Sequence, residues 1–269
     1  GSGSNALTQQ GISLLMNNYV GLLANAAIGL CNQVNVAVSK FVSGFNTAFT
    51  PQVIKLYARD NYRELNLLIS RSSKFSFALC YIMVLPLLCN MDFILEIWLG
   101  DDVPEYTAGF CRMVLICTLF DATTGVYNTA ITATGRIRNY QILISLSFLL
   151  DLLLSFAMLY RGIEPVLVFS SRILTRGILN MVIGLYFINR YMGFDISGYI
   201  HSVLLKILSV IAITGLPSYM IYCNTSGLSR FLSTSVYAVI ATMVFVLYFL
   251  MSKEERIAVL TKIERKFAG

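Results

Sequence analysis

Residues 140–160 read YQILISLSFLLDLLLSFAMLY. Nothing in this stretch breaks a helix or alternates like a strand, and a lone carboxylate, Asp151, stands inside an apolar run of the roughly 20 residues that cross a bilayer. Arg136 and Arg138 precede the run; Arg161 and Glu164 follow it. Working outward, runs of the same kind recur at 22–49, 75–99, 106–133, 164–189, 201–222 and 231–251. Every second connection is basic. Lys55, Arg59, Arg63, Arg71 and Lys74 follow the first run, Arg136 and Arg138 the third, Arg190 the fifth, and Lys253, Arg256, Lys262, Arg265 and Lys266 the seventh. The intervening connections hold Asp101, Asp102 and Glu105, then Arg161 with Glu164, then Arg230 alone. A bias of this kind sets orientation by the positive-inside rule. The reading is an all-α, polytopic transmembrane helical bundle with a cytoplasmic C-terminus.

Composition agrees. The 269 residues are 57% hydrophobic and 13% charged, with a mean hydropathy of +0.71, whereas soluble domains are about 25% charged. Unbroken apolar runs exclude a β-barrel, whose strands are short and alternating. The net charge of +6 belongs to the basic connections and carries no argument for nucleic-acid binding. Cys31, Cys80, Cys89, Cys111, Cys117 and Cys223 lie in or at the ends of apolar runs without CxxC spacing, and read as small buried hydrophobes. A single histidine, His201, leaves little for a metal site. No cofactor is expected.

Residues 1–6, Gly-Ser-Gly-Ser-Asn-Ala, are either an appended leader, which fold reasoning would exclude, or a native start in mid-helix. Leu7 to Val20 is a partly apolar stretch too short for a full span, which the loop charges require to run outward from the cytoplasm. A chain that begins in this way reads as a fragment without a secretory signal.

The connections contain a series of phrases in a fixed order: Asn32-Gln33-Val34-Asn35, then Phe45-Asn46-Thr47-Ala48-Phe49-Thr50-Pro51-Gln52-Val53, then Arg71-Ser72-Ser73-Lys74-Phe75-Ser76-Phe77. Trp98-Leu99-Gly100 with Pro104-Glu105-Tyr106, and Ala133-Thr134-Gly135-Arg136-Ile137-Arg138-Asn139-Tyr140-Gln141, complete it. Over residues 10–141 the series resembles the second half of polysaccharide-transport flippases, the O-antigen-unit type, of the multidrug/oligosaccharidyl-lipid/polysaccharide (MOP) exporter superfamily; residues 142–269 match only in helix count and charge pattern. The resemblance implies a MATE/MOP-like C-terminal lobe of six helices over 1–191, its first helix truncated, an additional transmembrane hairpin over 192–252, and a tail over 253–269. It also implies a missing N-terminal lobe of the same protein, a bacterial inner (cytoplasmic) membrane location, and alternating-access transport of a lipid-linked oligosaccharide without covalent chemistry. The tail, with Ile257, Leu260, Ile263 and Phe267 among its charges, reads as a basic amphipathic helix on membrane lipid.

Charges inside spans cost about 2.5–3.5 kcal/mol each on insertion scales and are functional candidates by default. The deep ones here are Lys40, Arg112, Asp121, Asp151, Arg172 and Arg176. Gln33, Lys40 and Thr47 recur at seven-residue steps with Asn32, Asn35, Ser39, Ser43 and Asn46 beside them, a polar stripe that either lines a cavity or bonds to adjacent helices. Lys40, Gln33, Asn35 and Asn46 are accordingly substrate-binding candidates. Arg172 and Arg176 share a face one turn apart, at depths of about 12 and 18 Å by helical rise, and suit the phosphates of the implied cargo. The alternative is an ion pair with Asp121 or Asp151. These two carboxylates are themselves either ion-coupling sites for H+ or Na+ or salt-bridge partners. Arg112 snorkels or pairs with Asp92 or Glu96. Pro86 and Pro217 are candidate kinks, and Trp98, Tyr106, Tyr160 and Tyr191 interfacial anchors.

The leading functional expectation is therefore a flippase for a polyprenyl-pyrophosphate sugar. A drug or organic-cation exporter of the same fold is the runner-up, disfavoured by four buried cations. A membrane sugar-lipid polymerase or acyltransferase lacks a histidine in its short outward connections.

Overall fold

The computed structural model describes residues 2–225 and 227–246, and among them finds helices and no strand. They are α1 (Ser2–Tyr19), α2 (Leu22–Ala58), α3 (Tyr62–Leu99), α4 (Thr107–Ala133), α5 (Arg138–Tyr160), α6 (Pro165–Met192), α7 (Ile196–Asn224) and α8 (Gly227–Phe245). Seven of them, α2 to α8, are long and apolar enough to span a membrane. The all-α polytopic reading stands. The tail expected over 253–269 lies outside the described residues.

The stops between helices follow from local chemistry. Gly100, Gly135, Gly162 and Gly193 adopt positive φ at the connections after α3, α4, α5 and α6, where a side chain would be strained. Asn61 caps α3 by accepting from the Glu64 N–H at 3.3 Å, and Asp195 caps α7 by accepting from the Gly198 N–H at 2.9 Å. Residues 2–6 form the first turn of α1.

α4 and α3 form the centre of the bundle. Over the most apolar window of each, 56% and 50% of residues are buried, against 22–28% for the other five spans. α4 packs against α2, α3 and α6, while α1 lies along α5 and α5 along α6. Phe110 stacks on Phe169 across α4 and α6, with ring centres 4.3 Å apart. Close approach depends on two glycines: a Cβ at Gly177 would meet the Phe120 ring at 2.9 Å, and one at Gly125 would collide with the Asn46 amide.

α3 bends. Pro86 removes one backbone donor, and four residues on Asn90 departs from helical geometry at φ −116°, ψ 24°, its side-chain amide donating to the Pro86 carbonyl at 3.0 Å. α7 remains a continuous helix through Pro217. α7 and α8 rest on α3 through two buried side-chain contacts: the Tyr81 and Thr214 hydroxyls share a hydrogen bond of 2.9 Å, and Asn90 Nδ2 donates to Thr234 Oγ1 at 2.7 Å. α6 and α7 each contain a wide π-helical stretch, Ile173–Leu179 and Ile200–Leu204. All six cysteines are free; contrary to the reading that all are buried, Cys223, at the end of α7, is exposed and Cys89, beside the irregularity at Asn90, is half-buried.

Candidate functional site

Asp151 is fully buried at the middle of α5, and the carboxylate can survive there only with partners. α6 supplies them. Arg176 Nε donates to Asp151 Oδ2 at 3.2 Å, and Arg172 Nε stands 3.8 Å from the same oxygen. On the other oxygen, Thr175 donates at 3.1 Å and Ser171 at 3.4 Å. Four residues of one helix thus converge on one carboxylate, and the π-helical stretch that contains Thr175 and Arg176 widens the turn at this point, a distortion common at functional sites. Each guanidinium also lies over an aromatic ring: Arg172 over Phe169 at 3.9 Å, Arg176 over Phe148 at 5.0 Å.

The neighbouring cavity has a volume of about 200 Å³. α1 contributes Asn5 and Gln9, α2 contributes Asn32 and Asn35, α4 contributes Cys117, Thr118 and Asp121, and α6 contributes both arginines and Asn180. Several polar atoms here are buried without a hydrogen-bond partner: Arg172 Nε and Nη2, Arg176 Nη2, Asn5 Oδ1 and Gln9 Oε1. Arg172, Arg176 and Asp151 together carry one net positive charge. Asp121 is exposed to the cavity, and among the described residues no cation stands within ion-pair distance of it.

The candidates named from the sequence divide. Arg172, Arg176, Asp151, Asp121 and Asn35 meet at this site. Asn35 also ties α2 inward, its Oδ1 accepting from Thr118 at 2.9 Å and from Ser39 at 3.1 Å. Asn46 lies elsewhere on α2, where it accepts from the Ser76 hydroxyl at 2.6 Å and packs on Gly125, which is the helix-bonding role. Gln33 and Lys40 point to the exposed side of α2, away from the cavity; Gln33 borders a surface groove with Met83, Leu87 and Trp98. Arg112 pairs with Asp92 and donates to the Leu88 carbonyl at 3.2 Å. The sequence reading missed Asn5, which falls in the candidate leader, Gln9, which falls in the partial helix 7–20, and Asn180. Each had a signal: Asn5 and Gln9 are four residues apart, and Asn180 continues the four-residue steps of Arg172 and Arg176.

A family model described as MatE matches residues 5–157. The chain belongs to the MatE family. It is thus a multi-pass membrane protein and a transporter of the MOP superfamily, a family of transporters and not of enzymes. The matched segment of this MatE chain takes in α1 to α4 and most of α5, so it includes Asp121 and Asp151, while both arginines lie beyond it. No curated protein and no solved structure matched the chain.

Proposed function

We propose that this MatE chain forms part of a transporter that carries a lipid-linked oligosaccharide, a polyprenyl-pyrophosphate sugar, across the bacterial inner membrane by alternating access. The observation that carries the reading is the pair of guanidinium groups whose Nη2 donors are buried and unpaired at a polar cavity. Forked, permanently charged donors suit phosphate oxygens; because Asp121 on the same cavity balances the formal charge of the arginine–carboxylate cluster, the reading rests on these unpaired donors and not on net charge. A volume near 200 Å³ lies below the range for drug-sized ligands; it fits a phosphate headgroup, with the sugar and prenyl chain held elsewhere. Alternating access needs a second lobe facing this one, which the sequence resemblance assigns to the same protein. The basic connections support a cytoplasmic C-terminus.

Asp121 supports a second reading. An accessible carboxylate without an ion-pair partner suits an organic cation, as in a drug exporter, or H+ or Na+ coupling of the first function. The deciding experiment is complementation of a strain lacking its own oligosaccharide-lipid flippase, using the complete gene at matched membrane expression. Rescue by wild type and loss in Arg172→Ala and Arg176→Ala is the expected result. Rescue that survives both substitutions removes the arginines from cargo binding, and failure of wild type to rescue, with drug resistance conferred instead, favours the exporter.

A further inference from the structure

The seam of α1 and α5 closes the polar cavity on one side and carries an apolar groove on the other. The groove encloses about 700 Å³. Leu7, Leu146 and Leu149, exposed by 75%, 53% and 50%, form its walls with Ile142 and Leu152. Its one charged group, Arg138 at the start of α5, stands at one end with Ser4 and Gln141, Ser145 follows one turn on, and Thr8 further along spends its hydroxyl on the Phe148 carbonyl. Arg138 is exposed, and among the described residues its guanidinium is in no hydrogen bond or ion pair. Both helices begin at the basic end of the bundle, so this polar end stands at the level of the headgroups. From Gln141 to Leu152 the groove runs about 16 Å by helical rise, close to half of a ~30 Å hydrocarbon core, and beyond Leu152 a second groove walled by Leu14, Leu15, Leu153 and Phe156, with Asn17 and Asn18, continues the seam.

A cation at interface depth with an apolar channel below it that runs at least one leaflet matches one amphiphile bearing one negative head. We infer that this groove binds a single anionic phospholipid of the leaflet at the basic end, its phosphate on Arg138 and an acyl chain along Leu146, Leu149 and Leu152. A second protein helix would present apolar side chains along its whole length and would have to bring a carboxylate to Arg138; the lipid supplies charge and chain together. The site is separate from the transport cavity, because α1 turns Ser4, Leu7 and Thr8 to the groove and Asn5 and Gln9 to the cavity.

The test uses protein purified from the complete gene and native mass spectrometry against phosphatidylglycerol and phosphatidylcholine at equal concentrations. One phosphatidylglycerol should be retained in preference to phosphatidylcholine. Arg138→Gln should weaken that retention about fivefold, the worth of one basic residue beside an anionic lipid surface, and leave phosphatidylcholine unchanged. Arg138→Lys should restore it, and Leu149→Trp, which fills the channel, should reduce both lipids. Equal retention of the two lipids by wild type, or unchanged phosphatidylglycerol retention in Arg138→Gln, overturns the inference. So does a disulfide formed by Leu149→Cys with a second copy or another segment of the protein in membranes, since the occupant is then protein. Arg138 is exposed and its substitutions do not threaten the fold, so the outcome stays readable whatever Leu149→Trp does to expression.

Discussion

Replacing Asp151 with asparagine removes the one carboxylate shared by Arg172 and Arg176. The amide keeps one oxygen for Thr175 but turns donors toward Arg176, so the cluster goes from one net positive charge to two in a fully buried place. Removing one partner of a buried ion pair costs about 3–5 kcal/mol. The lower end applies here, because Arg176 retains 14% exposure at the cavity and can be partly solvated. A loss of about 3 kcal/mol is roughly a hundredfold in the folded-to-unfolded ratio. Unfolding of the purified full-length protein in mixed micelles would measure it for Asp151→Asn, Arg176→Gln and the double variant. Removing one guanidinium together with the carboxylate restores the original net charge, so the double variant should be more stable than the two single losses sum to, by about 1–3 kcal/mol. A change below about 0.5 kcal/mol in Asp151→Asn, the range of ordinary surface substitutions, or strict additivity in the cycle, would refute the shared-carboxylate argument.

Gly125→Ala should lose about 1–3 kcal/mol through overpacking, since the new methyl displaces the Asn46 amide and breaks its bond with Ser76; a thermostability assay should show Asn46→Ala relieving the clash. Asn90→Leu should cost about 1 kcal/mol, in keeping with hydrogen bonds between membrane helices, and should release α8 from α3, read as faster disulfide exchange at cysteines placed across that contact. Lys40→Ala should leave stability within about 0.5 kcal/mol, as its side chain is exposed. Transport lost at unchanged stability would then assign Lys40 to the cargo path, and transport retained would remove it.

The spans were legible because an apolar run states its own length. Their ends were less so. α3 begins at Tyr62, well before the apolar run at 75, and α2 continues to Ala58 past Pro51; Arg63, Glu64, Asn66 and Arg71 are helical without being apolar, and hydropathy registers only the part that meets lipid. At the site, the arginines announced themselves by depth and spacing. Which carboxylate they take was not legible, because Asp121 and Asp151 stand on different helices and the choice depends on how α6 rolls against α5 at its π-helical stretch. The α2 stripe shows the same limit. Its residues are alike in polarity, yet Asn35 and Asn46 turn to protein and Gln33 and Lys40 away from it, a division that a seven-residue period leaves open.

The bend in α3 has a bearing on how the bundle can move. Tyr81 stands below the Pro86–Asn90 irregularity and is held by Thr214 of α7; Asn90 stands at its upper edge and is held by Thr234 of α8. Two successive helices therefore grip one bent rod on either side of its joint, in the manner of a splint across a fracture. Straightening α3 would break one of these contacts or drag α7 against α8, so a change in the bend is coupled to the positions of both helices.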